Sequence, residues 1–299
     1  MSNELVKTIG NTPLIRIKKI IGEDDQSNSN YIFAKLEGNN PAGSVKDRAA
    51  IQMIQGAEDR GEINRGDTLV EATSGNTGIA LAMAASLKGY RMILIMPENL
   101  SLERRQVMKA FGADLILVSQ SEGMEGARDL AKDLQSQGKG VVLDQFSNDD
   151  NWIAHYRGTG PEIWRDTMQT VTHFISAMGT TGTITGVSQF LKKQDPSIQI
   201  IGVQPTDGSQ IPGIRKWEEG YVPAIREKAL IDQIEEVEQI EAENMARKLA
   251  KTEGVFCGPS GAGALVVALR ISKIVTNAKI VFIVCDRGDR YLSTGLFPD

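Results

Sequence analysis

The sequence predicts an α/β protein made of two doubly wound α/β domains, with the ligand site in the cleft between them. Short apolar runs typical of buried strands alternate with helical runs along the 299 residues, which indicates parallel sheets covered by helices on both faces. A chain of this length favours two domains over one compact core. A polar stretch at 147–151 interrupts the pattern, which then restarts. Ligands in such folds bind at the carboxyl ends of strands, often between domains.

The predicted elements follow from this alternation in chain order. Before the polar stretch, apolar runs predict strands at 68–72, 91–96, 114–118 and 141–143, and the segments between them predict helices at 78–87, 102–111 and 124–135. After it, the same reasoning predicts helices at 153–165, 183–192, 242–252 and 262–272, strands at 173–178, 198–203 and 279–284, and a looser section at 205–228.

Composition excludes several classes of function. The net charge of -5 and the absence of a long basic stretch argue against nucleic acid or an anionic membrane as a partner. No apolar run is long enough to span a bilayer, and residues 1–5 lack the pattern of a signal peptide. Two cysteines do not suggest a disulfide framework, so we expect a cytoplasmic protein. Two histidines without a Cys/His cluster predict no metal site.

Lys46 is the residue most at odds with its local context. Ser44 followed by Asp47 predicts a helix N-cap with a capping box, which puts Lys46 in the first helical turn. The positive end of the helix dipole disfavours a cation there and lowers the pKa of the amine, which makes it a better nucleophile or base. On this segment alone, a solvated surface lysine is the alternative interpretation.

Three loops rich in Gly, Ser and Thr open predicted helices, at 73–78, 179–183 and 257–263. The first can hold a carboxylate or phosphate at a helix N-terminus. The second lacks the spacing of a nucleotide triphosphate or dinucleotide loop, so a small monophosphate suits it better. A lone loop of this kind is also compatible with a tight βα turn. Together with Lys46, however, the three loops are the parts that a pyridoxal phosphate enzyme needs.

At these residues the chain resembles the fold-type II family of pyridoxal phosphate enzymes, and within it the cysteine synthase (O-acetylserine sulfhydrylase) branch. The resemblance extends over essentially the whole chain, and the matching segments are 8–14 (TIGNTPL), 41–48 (PAGSVKDR), 73–78 (TSGNTG) and 179–183 (GTTGT). It implies a smaller domain at 40–150 that carries a substrate-carboxylate loop. It also implies a larger domain, formed by 1–39 and 151–299, that carries a cofactor-phosphate loop, and a homodimer.

The resemblance also implies a role for individual residues. Lys46 would form the Schiff base with pyridoxal 5'-phosphate and move the α-proton, Asn76 would bind the ring hydroxyl, and Ser260 would face the pyridine nitrogen. The phosphate would be held by Gly179, Thr180, Thr181, Gly182 and Thr183, and the substrate carboxylate by Thr73, Ser74, Gly75, Thr77 and Gln145. The chain departs from the family pattern at Gly261, where a second serine is common, and at Pro259.

The implied reaction is replacement of the acetate of O-acetyl-L-serine through an α-aminoacrylate intermediate. The nucleophile would be sulfide, giving L-cysteine, or thiosulfate, giving S-sulfocysteine, because segments 211–217 and 285–294 resemble B-type members that use both. The nearest rival is another member of the family, similar to cystathionine β-synthase or to serine and threonine dehydratases. A catalytically silent ligand-binding protein is a further rival, and the intact Lys46 argues against it.

Two further candidate residues, Arg215 and Cys285, each have two interpretations. Arg215 either attracts a dianionic co-substrate such as thiosulfate or is a surface arginine beside Lys216. Cys285 is either a reactive thiol at the end of the last strand or a small buried apolar residue. We expect packing or capping roles for Cys257, His155 and His173, and core or interface positions for Trp152, Trp164 and Trp217.

Overall fold

Two β-sheets with helices on both faces form the described part of the chain, which in this computed structural model comprises residues 4–21, 29–73, 75–98, 101–217 and 220–297. The strands are β1 (Leu14–Ile17), β2 (Tyr31–Leu36), β3 (Thr68–Ala72), β4 (Arg91–Pro97), β5 (Asp114–Val118), β6 (Val141–Val142), β7 (His173–Ala177), β8 (Gln199–Pro205), β9 (Gln233–Val237) and β10 (Lys279–Val284). The predicted α/β fold is confirmed.

The helices lie between successive strands of the chain. They are α1 (Lys46–Asp59), α2 (Asn76–Lys88), α3 (Leu102–Ala110), α4 (Gly123–Ser136), α5 (Asp149–Ala154), α6 (Gly160–Asp166), α7 (Gly182–Gln194), α8 (Gln239–Glu253) and α9 (Pro259–Ser272). A π-helical segment, His155–Thr159, joins α5 to α6. Short 3₁₀ helices cover Val6–Thr8, Glu37–Asn39, Ala224–Lys228 and Gly288–Thr294.

The larger sheet has the strand order β1-β2-β10-β7-β8-β9. Only the β1–β2 pair is antiparallel among its described pairs. Side chains alternate between two cores along β10: Ile280 and Phe282 pack beneath α8 and α9, whereas Val281 and Ile283 pack against α6 and α7. Burial on both faces explains the near-continuous apolar run that marked this strand in the sequence.

The smaller sheet is parallel, with the order β5-β4-β3-β6. Leu69 and Leu94 pack against α1 and α2 on one face, and Val70 and Ile95 pack against α4 on the other. The strands of this sheet lie between residues 68 and 142, and those of the larger sheet lie outside that interval. The domain limits at residues 40 and 150 stay a prediction.

Two local expectations differ from the structure. The helix predicted at 153–165 is interrupted by the π-helical segment, and α7 packs so closely beside it that a Cβ on Gly186 would lie 2.1 Å from the carbonyl oxygen of Trp152. The capping box predicted for Ser44 is wrong in detail: α1 begins at Lys46 with Val45 at the N-cap. Ser44 Oγ instead accepts a hydrogen bond from the Lys46 N–H at 3.2 Å, and Asp47 accepts one from the Ala42 N–H at 2.5 Å.

No helix among the described residues is both long enough and apolar enough to cross a membrane. Within the same ranges, no group of three or more His, Cys, Asp or Glu side chains is arranged to hold a metal ion.

Candidate active site

A cavity of about 940 Å³ lies at the carboxyl ends of strands from both sheets. Residues that directly follow β3, β7 and β10 line it, as do the first residues of α1, α2 and α7. The sequence-predicted residues that line it are Lys46, Thr73, Gly75, Asn76, Thr77, Gln145, Gly179, Thr180, Thr181, Gly182, Thr183, Arg215, Ser260 and Cys285. Ser74 lies outside the described residues. The fold thus brings loops that are far apart in sequence into one site.

Lys46 is the first residue of α1 and is held against the end of β10. The N–H of Val45 donates to the carbonyl oxygen of Cys285 at 2.8 Å, and Ser44 pairs with Asp286 in an isolated antiparallel bridge. Burial lowers the pKa of the Lys46 amine below its ordinary value of 10.5, although Cys285 and Asp286 act in the opposite direction. The amine therefore loses its proton more readily than an exposed lysine, and it faces the cavity.

The 73–78 loop is organised by the Thr73 hydroxyl. Its oxygen accepts hydrogen bonds from the N–H groups of Gly75 at 3.2 Å and Gly78 at 3.0 Å, which satisfies donors at the start of α2. The proton of this hydroxyl can still be donated to a ligand, because a hydroxyl is both acceptor and donor.

Gln145 is joined to this loop by its side-chain amide. Thr77 donates from its hydroxyl to Gln145 Oε1 at 2.6 Å, and Gln145 Nε2 donates to the carbonyl oxygen of Ala72 at 3.2 Å. The hydroxyl proton of Thr77 is therefore already used in the hydrogen bond to Gln145. An amide NH₂ carries two protons, so Gln145 retains a second donor for a substrate carboxylate.

The 179–183 loop forms a cradle at the N-terminus of α7. Thr181 has a left-handed backbone conformation with φ 69° and places the following N–H groups at the head of the 13-residue helix. A Cβ on Gly182 would lie 2.2 Å from Asn151 Oδ1, and one on Gly179 would lie 2.7 Å from the carbonyl oxygen of Gly213. Close approach of neighbouring groups therefore requires glycine at both positions. A helix N-terminus lined by N–H groups and threonine hydroxyls suits a phosphate.

Two residues that hold this cradle were not recognised from the sequence. Trp217, assigned there to core or interface, donates from Nε1 to the carbonyl oxygen of Gly179 at 2.8 Å. Asn151 is buried and donates from Nδ2 to the carbonyl oxygen of Gln145 at 2.7 Å and to Thr180 Oγ1 at 3.3 Å. The only sequence signal for Asn151 was its place in the polar stretch between the two halves, which was interpreted as a boundary.

Ser260 and Cys285 also line the cavity. Ser260 lies in the first turn of α9, where Pro259 is well placed because the first residue of a helix needs no N–H donor. A Cβ on Gly261 would lie 3.0 Å from the Cα of Val284, so the missing second serine reflects close packing on β10. The Ser260 hydroxyl interacts with the Cys285 thiol, whose pKa burial raises to about 11. A thiol that keeps its proton near neutral pH favours the packing interpretation of Cys285.

Arg215 lines the outer part of the cavity. Its guanidinium carbon lies 5.5 Å from the centre of the Trp217 ring, and its backbone N–H donates to the carbonyl oxygen of Met178 at 2.9 Å. The adjacent Lys216 instead pairs with Asp207 and Glu236. Both cations line the cavity, but they are not equivalent, because Lys216 is engaged in two ion pairs while Arg215 lies against the Trp217 ring.

A buried cluster of ion pairs holds α1 in place. Arg48 pairs with Glu37 and with Glu162, at 2.7 Å in each case, and Glu162 also pairs with Lys35 at 2.8 Å. His155 lies beside this cluster, and its pKa falls to about 3 because of burial first and Arg48 second. This neutral histidine hydrogen-bonds Thr159 at 2.9 Å, in accord with the packing role expected for it.

Comparison with known proteins gives a consistent result. A family model described as "Pyridoxal-phosphate dependent enzyme" matches residues 5–286. Cysteine synthase B of Pseudomonas aeruginosa is 59% identical over 97% of this chain and 95% of its own length. Cysteine synthase B of Escherichia coli (strain K12) is 58% identical over 99% and 96%, respectively.

Solved structures share the whole fold. Cysteine synthase (OASS) from Entamoeba histolytica superposes with a TM-score of 0.93 at 37% identity, covering 100% of this chain and 91% of that one. The O-acetylserine dependent cystathionine beta-synthase from Helicobacter pylori has a TM-score of 0.89 at 34% identity, covering 99% of each chain. As the lysine and loop motifs predicted, the chain belongs to the pyridoxal-phosphate dependent enzyme family.

Proposed function

We propose that this protein is a cysteine synthase, which replaces the acetate of O-acetyl-L-serine with sulfide to give L-cysteine, or with thiosulfate to give S-sulfocysteine. The observation that carries the proposal is that Lys46, the 73–78 loop and the 179–183 cradle line a single cavity. The two bacterial relatives at 58–59% identity are both named Cysteine synthase B, which supports the synthesis of cysteine.

The described residues fit pyridoxal phosphate. Gly179 and Gly182 leave room for a phosphate at the head of α7, where a side chain would collide with neighbouring groups. Lys46 supplies the amine for covalent attachment, and Asn76 and Ser260 supply polar groups for the ring. When bound, the cofactor supplies an electron sink that allows a proton to leave the α-carbon of an amino acid.

Lys46 is the group that we expect to move this proton. Its lowered pKa keeps the freed amine unprotonated at a pH where an exposed lysine is charged, so Nζ can accept the α-proton and later return it. Thr73, Ser74, Gly75, Thr77 and Gln145 would orient the substrate through its carboxylate. Among these, Gln145 offers a buried amide donor and Thr73 a hydroxyl proton, whereas the Gly75 N–H already donates to Thr73.

Ser260 decides between possible reaction types. A neutral hydroxyl does not hold a pyridine nitrogen in its protonated form as a carboxylate does, so the ring is a weaker electron sink. We therefore expect loss of a β-leaving group to be favoured over transamination.

Arg215 is the residue that we propose for recognition of thiosulfate. A fixed guanidinium matches an oxyanion, and this one lies over the cavity. Replacing Arg215 with Ala should lower the rate with thiosulfate at least tenfold more than the rate with sulfide. Lys216→Ala is the matched control, since Lys216 lines the same cavity but its charge is engaged in ion pairs with Asp207 and Glu236. Equal losses with the two sulfur donors in Arg215→Ala would reject this role.

The proposal is tested by the visible spectrum and by the products. The purified protein should be yellow, should change its absorption with O-acetyl-L-serine, and should release L-cysteine when sulfide is added. Lys46→Ala should lose this activity. A protein that stays colourless with added pyridoxal phosphate would refute the proposal. Turnover only with homocysteine would instead assign a cystathionine β-synthase reaction, and release of a keto acid a dehydratase reaction.

We also propose a homodimer in the cytoplasm. The dimer rests on the family resemblance and is tested by light scattering coupled to gel filtration. The location is supported by the free thiols of Cys257 and Cys285, since secreted proteins more often pair their cysteines.

A further inference from the structure

Asp286 is a buried carboxylate beside the cavity for which the proposed reaction provides no role. It directly follows the Cys285 that lines the cavity, and only 1% of its surface is exposed. One of its oxygens, Oδ2, accepts two hydrogen bonds of 2.6 Å, from Asn76 Nδ2 and from the Tyr291 hydroxyl. The contact with Asn76 joins residues 210 positions apart in the chain.

The other end of the Asn76 amide is held by a cation. Arg290 donates from Nη1 to Asn76 Oδ1, and from Nη2 to the carbonyl oxygen of Ala42. An ionised carboxylate can only accept hydrogen bonds and a guanidinium can only donate them. Rotating the Asn76 amide by 180° would therefore set N–H groups against Arg290 and the carbonyl against Asp286. The two neighbours allow only one orientation of the amide, with Nδ2 toward Asp286.

The position of Asp286 is itself fixed. Its backbone pairs with Ser44, and its carbonyl oxygen accepts a hydrogen bond from the Gly258 N–H at 3.5 Å. Its second oxygen, Oδ1, has no hydrogen-bond partner among the described residues and lies so close to Gly258 that a Cβ there would be 2.3 Å away. Asp286 thus contacts the loops that carry Lys46, Asn76 and Ser260. Because these contacts fix the Asp286 carboxylate, its hydrogen bond can fix the orientation of the Asn76 side chain.

We propose that Asp286 and Arg290 are positioning residues that hold Asn76 in the orientation in which it offers an N–H, and not its carbonyl, to the ring hydroxyl of pyridoxal phosphate. The inference rests on the proposed function. An amide Nδ2 has two protons, and Asp286 takes one of them, so the second remains for the ring oxygen. Without the two charged neighbours, the amide could turn and set its carbonyl against that oxygen.

The test is the binding of pyridoxal phosphate to the apo form of the full chain, followed by visible absorption. Asp286→Ala should weaken binding about five- to tenfold, the effect of losing one buried hydrogen bond, and should shift the absorption maximum. Asp286→Asn should stay within about twofold of the wild type, since its oxygen can replace Oδ2 as the acceptor. Arg290→Met should weaken binding in the same way as Asp286→Ala.

Two controls separate orientation of Asn76 from a general structural effect. With 3-deoxypyridoxal 5'-phosphate, which lacks the ring hydroxyl, Asp286→Ala and the wild type should bind equally. In an Asn76→Ala background, adding Asp286→Ala should cause no further loss. A loss that persists with the deoxy cofactor, or that adds fully to the loss from Asn76→Ala, would overturn the inference.

The remaining outcomes are also decisive. If the wild type binds pyridoxal phosphate and Asp286→Ala binds it equally well, the inference is wrong and the proposed function stands. If the wild type itself does not bind, the proposed function fails and the inference fails with it. Circular dichroism reports whether each variant is folded, and Asp286→Ser, which is too short to reach Asn76, replaces Asp286→Ala if the alanine variant does not fold.

Discussion

Trp217 packs against the 179–183 cradle by donating a hydrogen bond of 2.8 Å from its indole Nε1 to the carbonyl oxygen of Gly179. The same segment makes a second contact with the loop, because the Arg215 N–H donates to the carbonyl oxygen of Met178 at 2.9 Å. Gly213 approaches Gly179 so closely that a side chain at 179 could not fit. Segment 213–217, which lies in the section predicted to be irregular, therefore packs directly against the cradle.

Replacing Trp217 with Phe should weaken the binding of pyridoxal phosphate about three- to tenfold. The substitution removes one hydrogen bond, worth about 0.5–1.5 kcal/mol, and keeps a ring at the site where Trp217 contacts Phe146 at 5.7 Å between centroids. Binding is measured by titrating the apoprotein and following visible absorption.

Trp152→Phe is the matched control for this prediction. It also loses an indole hydrogen bond, but that bond joins Nε1 to the exposed Asp149, so cofactor binding should not change. Equal effects of the two substitutions would mean that the Trp217 hydrogen bond does not shape the cradle.

The fold was predictable where local pattern and final burial agree. The apolar run at Lys279–Val284 is buried on both faces in the structure, and the lysine at the head of α1 was recognisable because it breaks a local rule. Strands β1, β2 and β9 were not predicted, because there the local sequence pattern does not show the final burial. In β2 a lysine at position 35 interrupts the apolar pattern, and its burial depends on ion pairs with Glu162 and Asp166, more than 120 residues away.

The site was predictable as far as the chemistry lies in contiguous loops. Gly179 to Thr183 and Thr73 to Gly78 are recognisable because glycine and hydroxyl residues are neighbours in the sequence. Asn151, Asp286 and Arg290 are single polar residues whose partners are brought close only by the tertiary fold. Segment 285–294 was noted by its resemblance, but no periodicity or spacing marks the individual contacts, since each depends on two elements meeting at the cavity.

Gly182→Ala should destabilise the protein by about 1–3 kcal/mol, as overpacking of a close contact does, and should weaken cofactor binding. The added methyl group would meet Asn151 Oδ1 at 2.2 Å and push away a side chain that joins Gln145 to Thr180. Chemical denaturation gives the stability, and titration with pyridoxal phosphate gives the affinity.

The double variant Gly182→Ala with Asn151→Ala tests the cause of this effect. Removing the Asn151 amide removes the collision, so the double variant should be more stable than the sum of the two single effects predicts. Simple additivity would show that the cost of Gly182→Ala arises somewhere other than at Asn151.

Cys285 should react slowly with iodoacetamide at pH 8. Burial raises the pKa of its thiol to about 11, which leaves about one thiolate in a thousand at that pH, roughly a hundredfold less than in an ordinary cysteine. The rate should keep rising up to about pH 11. Mass spectrometry identifies the labelled residue, and Cys285→Ser should abolish the label because Cys257 is fully buried. Rapid labelling at neutral pH that O-acetyl-L-serine blocks would instead support a reactive thiol.

Glu71 should make the protein less stable as the pH rises from about 5 to about 8. This carboxyl is 2% exposed and accepts hydrogen bonds from the backbone N–H groups of Asp144 at 3.1 Å and Gln145 at 3.2 Å. Burial raises its pKa from 4.5 to about 8, with Asp144 acting in the same direction and the N–H groups opposing it.

The sign of the effect follows from proton binding. Below pH 4.5 the carboxyl is protonated in both the folded and unfolded states, so it adds no pH dependence. Between pH 4.5 and 8 the unfolded chain releases the proton while the folded protein keeps it, and stability falls by up to about 1.4 kcal/mol per pH unit. Above pH 8 both states are ionised and the loss stays constant.

Glu71→Gln isolates this contribution from those of other groups. Glutamine cannot ionise, so the difference in unfolding free energy between variant and wild type should move in favour of the variant as the pH is raised from 5 to 8. Urea denaturation at several pH values measures this difference. Asp47→Asn serves as a second test, because burial also raises the pKa of Asp47, to about 7. The difference in unfolding free energy between Asp47→Asn and the wild type should therefore stop changing at a lower pH than the difference for Glu71→Gln. A difference for Glu71→Gln that does not change with pH would mean that Glu71 releases its proton at the same pH in the folded and unfolded chain.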